Sequence, residues 1–488
     1  MRTRFPPSPT GFLHIGALRT ALYNYLLARQ TGGTFVLRIE DTDQARSVPG
    51  AVENIVEALR WAGLAPDEGV TVIDGVVSEK GPHGPYFQSA RLPLYQKYAD
   101  ELVAKGVAYP CFCTSQRLDE MRKKQQELKR APMYDRLCLN LSPEEIRAKL
   151  DANEPRVIRM KIPHERTITF QDDVRGAMTF QGHTVDDQVL VKSDGFPTYH
   201  LAHVVDDHLM EVDLVMRGEE WLSSLPKHLL LFEQLGWPVP RYAHLSLILN
   251  KDKSKLSKRQ NAVSVADYAA KGYLPEALLN FMAMLGWNPG TTQELFSLQE
   301  LIEQFSLERV QKAGAVFDLE KLDWLQGQWM RRIPSAEFAA RIRPLVEEAH
   351  PAAKADPDFA GKAALIQERV TFFHEAPAML GFFYAAPQVT AEMLASEKQK
   401  VKREDLPAYL AALIGTLENV PADAWNEERM LGDIKTLIAE KGWKLGQALW
   451  PMRMALTGIP YSPGAFEVAV ALGRDESLRR LKAALPSL

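Results

Sequence analysis

Arg2-Thr3-Arg4-Phe5-Pro6-Pro7-Ser8-Pro9-Thr10-Gly11-Phe12-Leu13-His14-Ile15-Gly16-Ala17 lies at the start of this chain. Its order of residue types predicts a strand, a tight loop and a helix. Arg2–Phe5 reads as a short strand, the Pro-Ser-Pro-Thr-Gly run as a turn, and the apolar-periodic stretch Ala17–Arg29 as a helix stopped by Gly32-Gly33. Gly16 lets the backbone come close to a ligand at the helix N-terminus, where unpaired N–H groups and the helix dipole favour anions. A second signature, Lys255-Leu256-Ser257-Lys258-Arg259, places two lysines and an arginine on a loop rich in Asn, Asp, Lys and Ser. A mobile cationic element of this kind suits phosphates, although taken alone the run is as readily a solvated charge cluster. His14 in isolation is an ordinary histidine. Placed between the turn and the helix, its imidazole can donate to a phosphate oxygen as the phosphorus becomes five-coordinate.

Outward from the first stretch, strand and helix patterns alternate. Thr34–Ile39 reads as a second strand and Pro49–Trp61 as a helix, the βαβα order of a parallel sheet. A helix over Leu92–Lys105, a Cys-bearing segment, a basic helix over Arg117–Arg130 and short strands near Arg156–Ile162 and Thr167–Phe170 then interrupt it. The sheet pattern returns at Val189–Val191, Thr198–Val205 and Asp213–Met216, and beyond about residue 320 only helical periodicity remains, broken by loops near Pro351, Pro387, Pro421 and Pro460. The expected fold is an α/β N-terminal half, a Rossmann-like parallel sheet (1–95 and 191–250) with an inserted α+β domain (96–190). A segment bearing the Lys255–Arg259 loop (251–330) and an all-α C-terminal half (331–488) follow.

A chain of 488 residues exceeds one compact core, and 46% hydrophobic with 25% charged residues is ordinary for a globular protein. Met1–Pro6 lacks an apolar signal-peptide core, and no uninterrupted apolar run reaches the roughly 18 residues of a membrane span. Three cysteines argue for a reducing, cytoplasmic setting and against a disulfide scaffold. The net charge of −4 decides nothing about nucleic acid, because binding needs only a local basic face.

The two signatures resemble the HIGH and KMSKS motifs of class I aminoacyl-tRNA synthetases. The flanking text, Arg4 to Gly11, Arg38-Ile39-Glu40-Asp41-Thr42-Asp43, Tyr199-His200-Leu201-Ala202 through Asp206-Asp207-His208, and Arg217-Gly218-Glu219-Glu220-Trp221, is similar to bacterial glutamyl-tRNA synthetases in particular. The similarity continues through Val316–Leu322 and Lys444-Leu445-Gly446-Gln447, so it spans nearly the whole chain. It implies that ATP activates L-glutamate to glutamyl-adenylate, with Mg2+ on the phosphates, and that the glutamyl group then passes to the 3′ end of tRNA(Glu). No DNA or membrane partner is implied, and a monomer is expected.

Glutamate has two carboxylates and one ammonium, and arginine forks bind carboxylates through charge-assisted bonds. The resemblance implies Arg4 and Arg217 in that role, Glu40 facing the amino group, and Ser8 and Tyr199 completing the glutamate pocket. Read from residues alone, Glu40-Asp41-Thr42-Asp43 is also a helix-capping acidic turn. For ATP the resemblance implies His14, Gly16, Glu220, Trp221, Lys255 and Lys258, with His14 and Lys258 stabilising the transition state. Ala17 departs from the final histidine of HIGH, and no role attaches to it.

Cys111, Cys113 and Cys138 are one ligand short of a tetrahedral zinc site. Asn140 stands where some members of the family have a histidine ligand, while others use a tyrosine four residues before the last cysteine, which Tyr134 matches. Buried structural cysteines are the alternative. The Arg117–Arg130 stretch, with six basic and three acidic residues, is either a solvated face or an RNA contact. The resemblance places the insertion on the acceptor end of tRNA, the 251–330 segment on the stem, and the helical half on the anticodon, with Arg369 near its last base. Four competing readings are a form that also charges tRNA(Gln), a glutaminyl enzyme, a short paralogue that modifies a tRNA base, and an inactive tRNA-binding homologue. The glutaminyl enzyme would have a β-rich anticodon region, and the short paralogue would lack the helical half.

Overall fold

A computed structural model describes residues 1–256 and 264–485. The chain begins with strand β1 (Arg2–Phe5), helix α1 (Ile15–Gln30), strand β2 (Thr34–Leu37), helix α2 (Ala51–Trp61) and the strands β3 (Glu68–Ile73) and β4 (Val76–Lys80). α1 starts two residues earlier than expected because His14 caps it, and it buries Leu18, Leu22 and Leu26 along one stripe. β2 stops at Leu37, short of the expected Ile39, which makes only an isolated bridge to Phe87. Gly33 is required between α1 and β2, since a Cβ there would meet the Met1 carbonyl oxygen at 1.9 Å.

The insertion follows: α3 (Leu92–Ala104), β5 (Ala108–Cys111), α4 (Ser115–Glu127), α5 (Pro143–Asp151), β6 (Val157–Met160), the hairpin β7 (Thr167–Asp172) and β8 (Gly176–Gln181), and β9 (Val189–Val191). β5, β6 and β9 form a small antiparallel sheet. Thr114 accepts a hydrogen bond from the Arg117 N–H and so fixes the start of α4. The helix ends at Glu127, so Lys129 and Arg130 lie beyond it.

Next come α6 (Tyr199–Leu209), β10 (Leu214–Gly218), α7 (Leu225–Leu235) and β11 (Arg241–Leu245). The main sheet runs β11-β10-β1-β2-β3-β4, parallel except for β4 against β3. β1 lies between the strand that follows it and the strand that returns after the insertion. At such a reversal of strand order a crevice opens at the carboxyl ends, where ligands of α/β sheets bind. The strand pair β12 (Ile248–Leu249) and β13 (Ala315–Val316) brackets α8 (Val265–Ala270), α9 (Pro275–Met284) and α10 (Leu298–Gln304).

One expected strand is a helix. Thr198–Val205 reads as sheet because Tyr199, Val204 and Val205 favour strands, but Tyr199–Leu209 is α6. Leu201, Ala202, Val204 and Val205 are buried at helical spacing, and His203, Asp206 and Asp207 are buried with them. The helix is thus enclosed nearly all round, and polar partners from other elements override local propensity.

The chain divides into two compact units, Met1–Lys271 with Pro275–Leu319, and Gly272–Leu274 with Glu320–Leu488. From α11 (Leu319–Arg332) onward the described residues contain no strand. α12 (Ser335–Ala349), α13 (Phe359–Gln367), α14 (Ala376–Tyr384) and α15 (Ala391–Leu394) lead to α16 (Leu406–Glu418), α17 (Glu427–Lys441), α18 (Leu445–Thr457), α19 (Ala465–Leu472) and α20 (Arg474–Ala484). Leu410, Leu413 and Leu417 pack with Met452, Leu456 and Leu481 in one core, each worth about 1.5–3 kcal/mol of burial. No helix among the described residues is long and apolar enough to cross a membrane.

Candidate active site

A cavity of about 530 Å³ opens at the carboxyl ends of β1 and β10. Its walls include Arg4, Ser8, His14, Gly16, Glu40, Tyr199, Arg217, Glu220, Trp221 and Lys255. The sequence-predicted glutamate and ATP residues are thereby gathered in one place, except Lys258, which lies outside the described residues.

The helix end comes first. His14 is the N-cap of α1, and its Nδ1 accepts from the Gly16 N–H at 2.9 Å. In the neutral ring the proton is therefore on Nε2, which makes that nitrogen the donor. A Cβ at position 16 would come within 3.2 Å of Nδ1, so a larger residue there would press on the imidazole.

Arg4 is fully buried on β1, and its Nε donates to both Asp207 oxygens at 3.2 Å. Its Nη1 reaches the Met216 carbonyl at 3.4 Å, while Nη2 is buried with no partner among the described residues. Arg38 donates to Asp207 at 2.6 Å and to Glu40 at 3.1 Å. The neighbouring Asp206 takes bonds from Arg91 at 2.7 Å, Gln88 at 2.8 Å and Tyr95 at 2.9 Å. Burial works against the Asp207 charge, but Arg4 and Arg38 outweigh it and hold the carboxyl well below the usual range. Burial pushes the Glu40 carboxyl up, opposed by Arg38 and Arg4. The acidic run divides: Glu40 lines the cavity, Asp41 accepts from Ser89, and Asp43 precedes the short turn Gln44–Arg46 and pairs with Arg46 at 2.6 Å.

Arg217 is enclosed by rings. Its Nε donates to His244 Nε2 at 3.0 Å, Nη1 to the Tyr199 hydroxyl at 2.9 Å, and Nη2 lies 3.1 Å from His228 Nδ1. An arginine only donates, so His228 accepts through Nδ1 and its Nε2–H faces His200 Nδ1 at 3.0 Å. Three of the five N–H donors are committed to these neighbours, and two are available to a carboxylate in the cavity. Trp221 packs against Tyr199 with centroids 4.1 Å apart. His228, His244 and Asp172 escaped the sequence reading because no local motif marks them. Arg38, Asp206 and Asp207 stood inside quoted motifs, but only their ion pairs reveal what they do.

The family described as tRNA synthetases class I (E and Q), catalytic domain, matches residues 1–324, and an anticodon binding domain matches residues 337–485. This chain belongs to the class I tRNA synthetases of the E and Q group. A glutamate–tRNA ligase of Prosthecochloris aestuarii is 45% identical across 99% of this chain and 97% of its own. That of Chlorobium phaeobacteroides is 44% identical across 98% of this chain and 97% of its own. A crystal structure of a glutamate tRNA ligase from Elizabethkingia meningosepticum, in complex with its amino acid, superposes with a TM-score of 0.85 at 36% identity, covering 100% of this chain and 99% of that one.

A second constellation lies in the insertion of this synthetase. The sulfurs of Cys111, Cys113 and Cys138 are all within 4.8 Å of one another. The Tyr134 hydroxyl is 3.4 Å from Cys111 Sγ and 3.3 Å from Cys113 Sγ. Burial pushes the Cys113 thiol up to about 11. Exposed Asn140 donates to the Arg136 carbonyl at 3.4 Å instead of joining the cluster. In the helical half, Arg369 is exposed, and its charge together with burial lowers the Arg453 pKa, burial being the larger cause.

The histidine cage is expected to make folding of this synthetase pH-dependent. Burial holds His200 and His203 down to about 3 and His228 well below its ordinary 6.5. As pH falls below about 6.5 the unfolded chain takes up protons on these rings while the folded chain does not, so stability is full above that pH and declines toward pH 3. Each ring contributes a slope on the order of 1 kcal/mol per pH unit. Urea unfolding at pH 7, 6 and 5 measures it. His200→Gln is expected to flatten the slope, and an identical slope would remove His200 from the cause.

Proposed function

We propose that this synthetase is a glutamate–tRNA ligase. It joins L-glutamate to ATP as glutamyl-adenylate with release of pyrophosphate, then transfers the glutamyl group to the 3′ adenosine of tRNA(Glu). The observation that carries this reading is a pair of buried arginines opening on one cavity beside a helix N-terminus. Arg4 presents a buried, unpartnered Nη2 and Arg217 has two uncommitted N–H donors, enough for two carboxylates. Glu40 receives the amino group, and an arriving ammonium offsets the burial that raises its carboxyl. Ser8 and Tyr199 close the pocket around the side chain.

ATP lies across the helix end in this reading. The Nε2–H of His14 donates to the α-phosphate oxygens as charge develops there, and Gly16 lets the phosphates approach the α1 backbone. Trp221 and Glu220 border the nucleoside, Lys255 the outer phosphates, and Lys258 supplies charge in the transition state. Mg2+ bound with ATP would share the pyrophosphate charge with the lysines. For the RNA, residues 96–190 take the acceptor end, 251–330 the stem and the helices after 331 the anticodon, with Arg369 near its last base. The lack of strands among the described residues after 320 supports the glutamate reading over the β-rich glutamine one. The reading includes a cytoplasmic monomer.

The geometry of the cysteine cluster fits zinc. Bonds of about 2.3 Å in a tetrahedron place ligand atoms roughly 3.8 Å apart, close to the spacings seen. Cys111, Cys113, Cys138 and Tyr134 would hold the ion, the Phe112 N–H lies 3.4 Å from Cys138 Sγ, and the Arg117 and Arg159 guanidiniums lie close enough to balance thiolate charge. The ion would tie β5 to the segment after α4 and do no chemistry. Metal analysis of protein purified without chelator should return about one zinc per chain, and less with Cys138→Ser; a value well below one for the unaltered protein removes the site.

Charging assays on purified tRNA(Glu) and tRNA(Gln), with glutamate and glutamine, test the main reading. Glutamine presents an NH2 to an arginine N–H, which leaves buried donors unpaired at about 1–3 kcal/mol each. Only glutamate should therefore be transferred. Arg217→Gln is expected to raise the KM for glutamate by about ten-fold or more with the KM for ATP little changed. Unaltered glutamate kinetics would take Arg217 out of the site.

A further inference from the structure

We infer that Asp172 and His244 form a positioning dyad that keeps His244 Nε2 an acceptor for Arg217 Nε, and thereby holds Arg217 on glutamate. This rests on the reading of Arg217 as a carboxylate-binding group. Neither residue lines the cavity, and both are fully buried. Asp172 ends β7, in the insertion, while His244 is on β11 of the main sheet.

The direction of each bond follows from what each group can do. Arg217 Nε can only donate, and it is 3.0 Å from His244 Nε2, so that nitrogen must offer a lone pair. The ring proton is then on Nδ1, which lies 2.6 Å from Asp172 Oδ2. The other oxygen, Oδ1, is occupied by three backbone donors: Val174 N–H at 3.0 Å, Arg175 N–H at 2.8 Å and His244 N–H at 3.3 Å. Burial opposes the Asp172 charge, but the bonds from His244 and the turn outweigh it and keep the carboxyl below its usual range. The chain of direction is Asp172 to His244 to Arg217 to ligand.

The three backbone donors make the isosteric substitution informative. In Asp172→Asn the amide oxygen must stay where those N–H groups point, which turns the NH2 toward His244 Nδ1. Nδ1 then has to accept, the ring proton moves to Nε2, and a donor faces the Arg217 donor. The fold loses almost no volume or packing, yet Arg217 is pushed off its aim. A role confined to stability would not separate the two substrates.

Asp172→Asn is expected to raise the KM for glutamate about 10- to 100-fold, with the KM for ATP and the melting temperature near those of the unaltered enzyme. A folded variant with unchanged KM for glutamate overturns the dyad, as does one in which both KM values rise together. Should Asp172→Asn not fold, His244→Gln, whose amide can offer an oxygen to Arg217 and an N–H to Asp172, is compared with His244→Leu, which offers neither. A lower KM for glutamate in the glutamine variant supports the dyad, and equal values overturn it. The unaltered enzyme separates the two levels: no glutamate charging by it defeats the reading of the site, whereas normal charging with an indifferent Asp172→Asn defeats only the dyad.

Discussion

Asp207 is the constraint on which the site depends. A carboxylate with no solvent exposure is costly unless paired and hydrogen-bonded, and here two buried arginines meet it. Arg4 comes from β1, Arg38 from just beyond β2, and Asp207 from α6, which follows the insertion. The pairing pins α6 against the centre of the sheet. It also leaves Arg4 Nη2 buried without a partner among the described residues, a cost to the folded chain.

Around this pair the polar interior is organised by obligatory hydrogen-bond roles. Arginine can only donate and carboxylate only accept, so histidines caught between them have their tautomers dictated. Asp172, His244 and Arg217 are such a line, while in Arg217, His228 and His200 the arginine alone sets the His228 tautomer. The rings stay neutral because burial and the neighbouring guanidinium both oppose their charge. A neutral cage leaves the remaining Arg217 donors uncommitted, whereas a carboxylate in its place would pair with the same arginine.

Much of this was legible in the residues. Strand, turn and helix at the N-terminus follow from the placement of Pro, Gly and apolar residues, and the motif residues from Arg4 to Lys255 converge on one cavity. The helical character after residue 320 was readable from its 3.6-residue periodicity. α6 was not, because Tyr199, Val204 and Val205 favour strands and the buried Asp206 and Asp207 fit neither simple pattern. Its helical state is decided by Arg4, Arg38 and Arg91, none of them local. The acidic run after Arg38 was similarly ambiguous, and the structure assigns its members differently: Glu40 to the cavity, Asp41 to Ser89 and Asp43 to the turn at Gln44–Arg46.

What the sequence determined by itself is the chemistry on offer: a helix start with a histidine cap, two arginines at strand ends, and three cysteines with a tyrosine in one segment. These are short-range facts, set by residue type and spacing. Only the tertiary structure decided which donors are left over. Whether Arg4 keeps an unpartnered Nη2 depends on Asp207, 203 residues away in the chain. Which nitrogen of His244 carries the proton depends on Asp172, 72 residues away in the insertion, and on Arg217, 27 residues away on the neighbouring strand. A local pattern cannot encode that, because a hydrogen bond is settled by the geometry of both its ends.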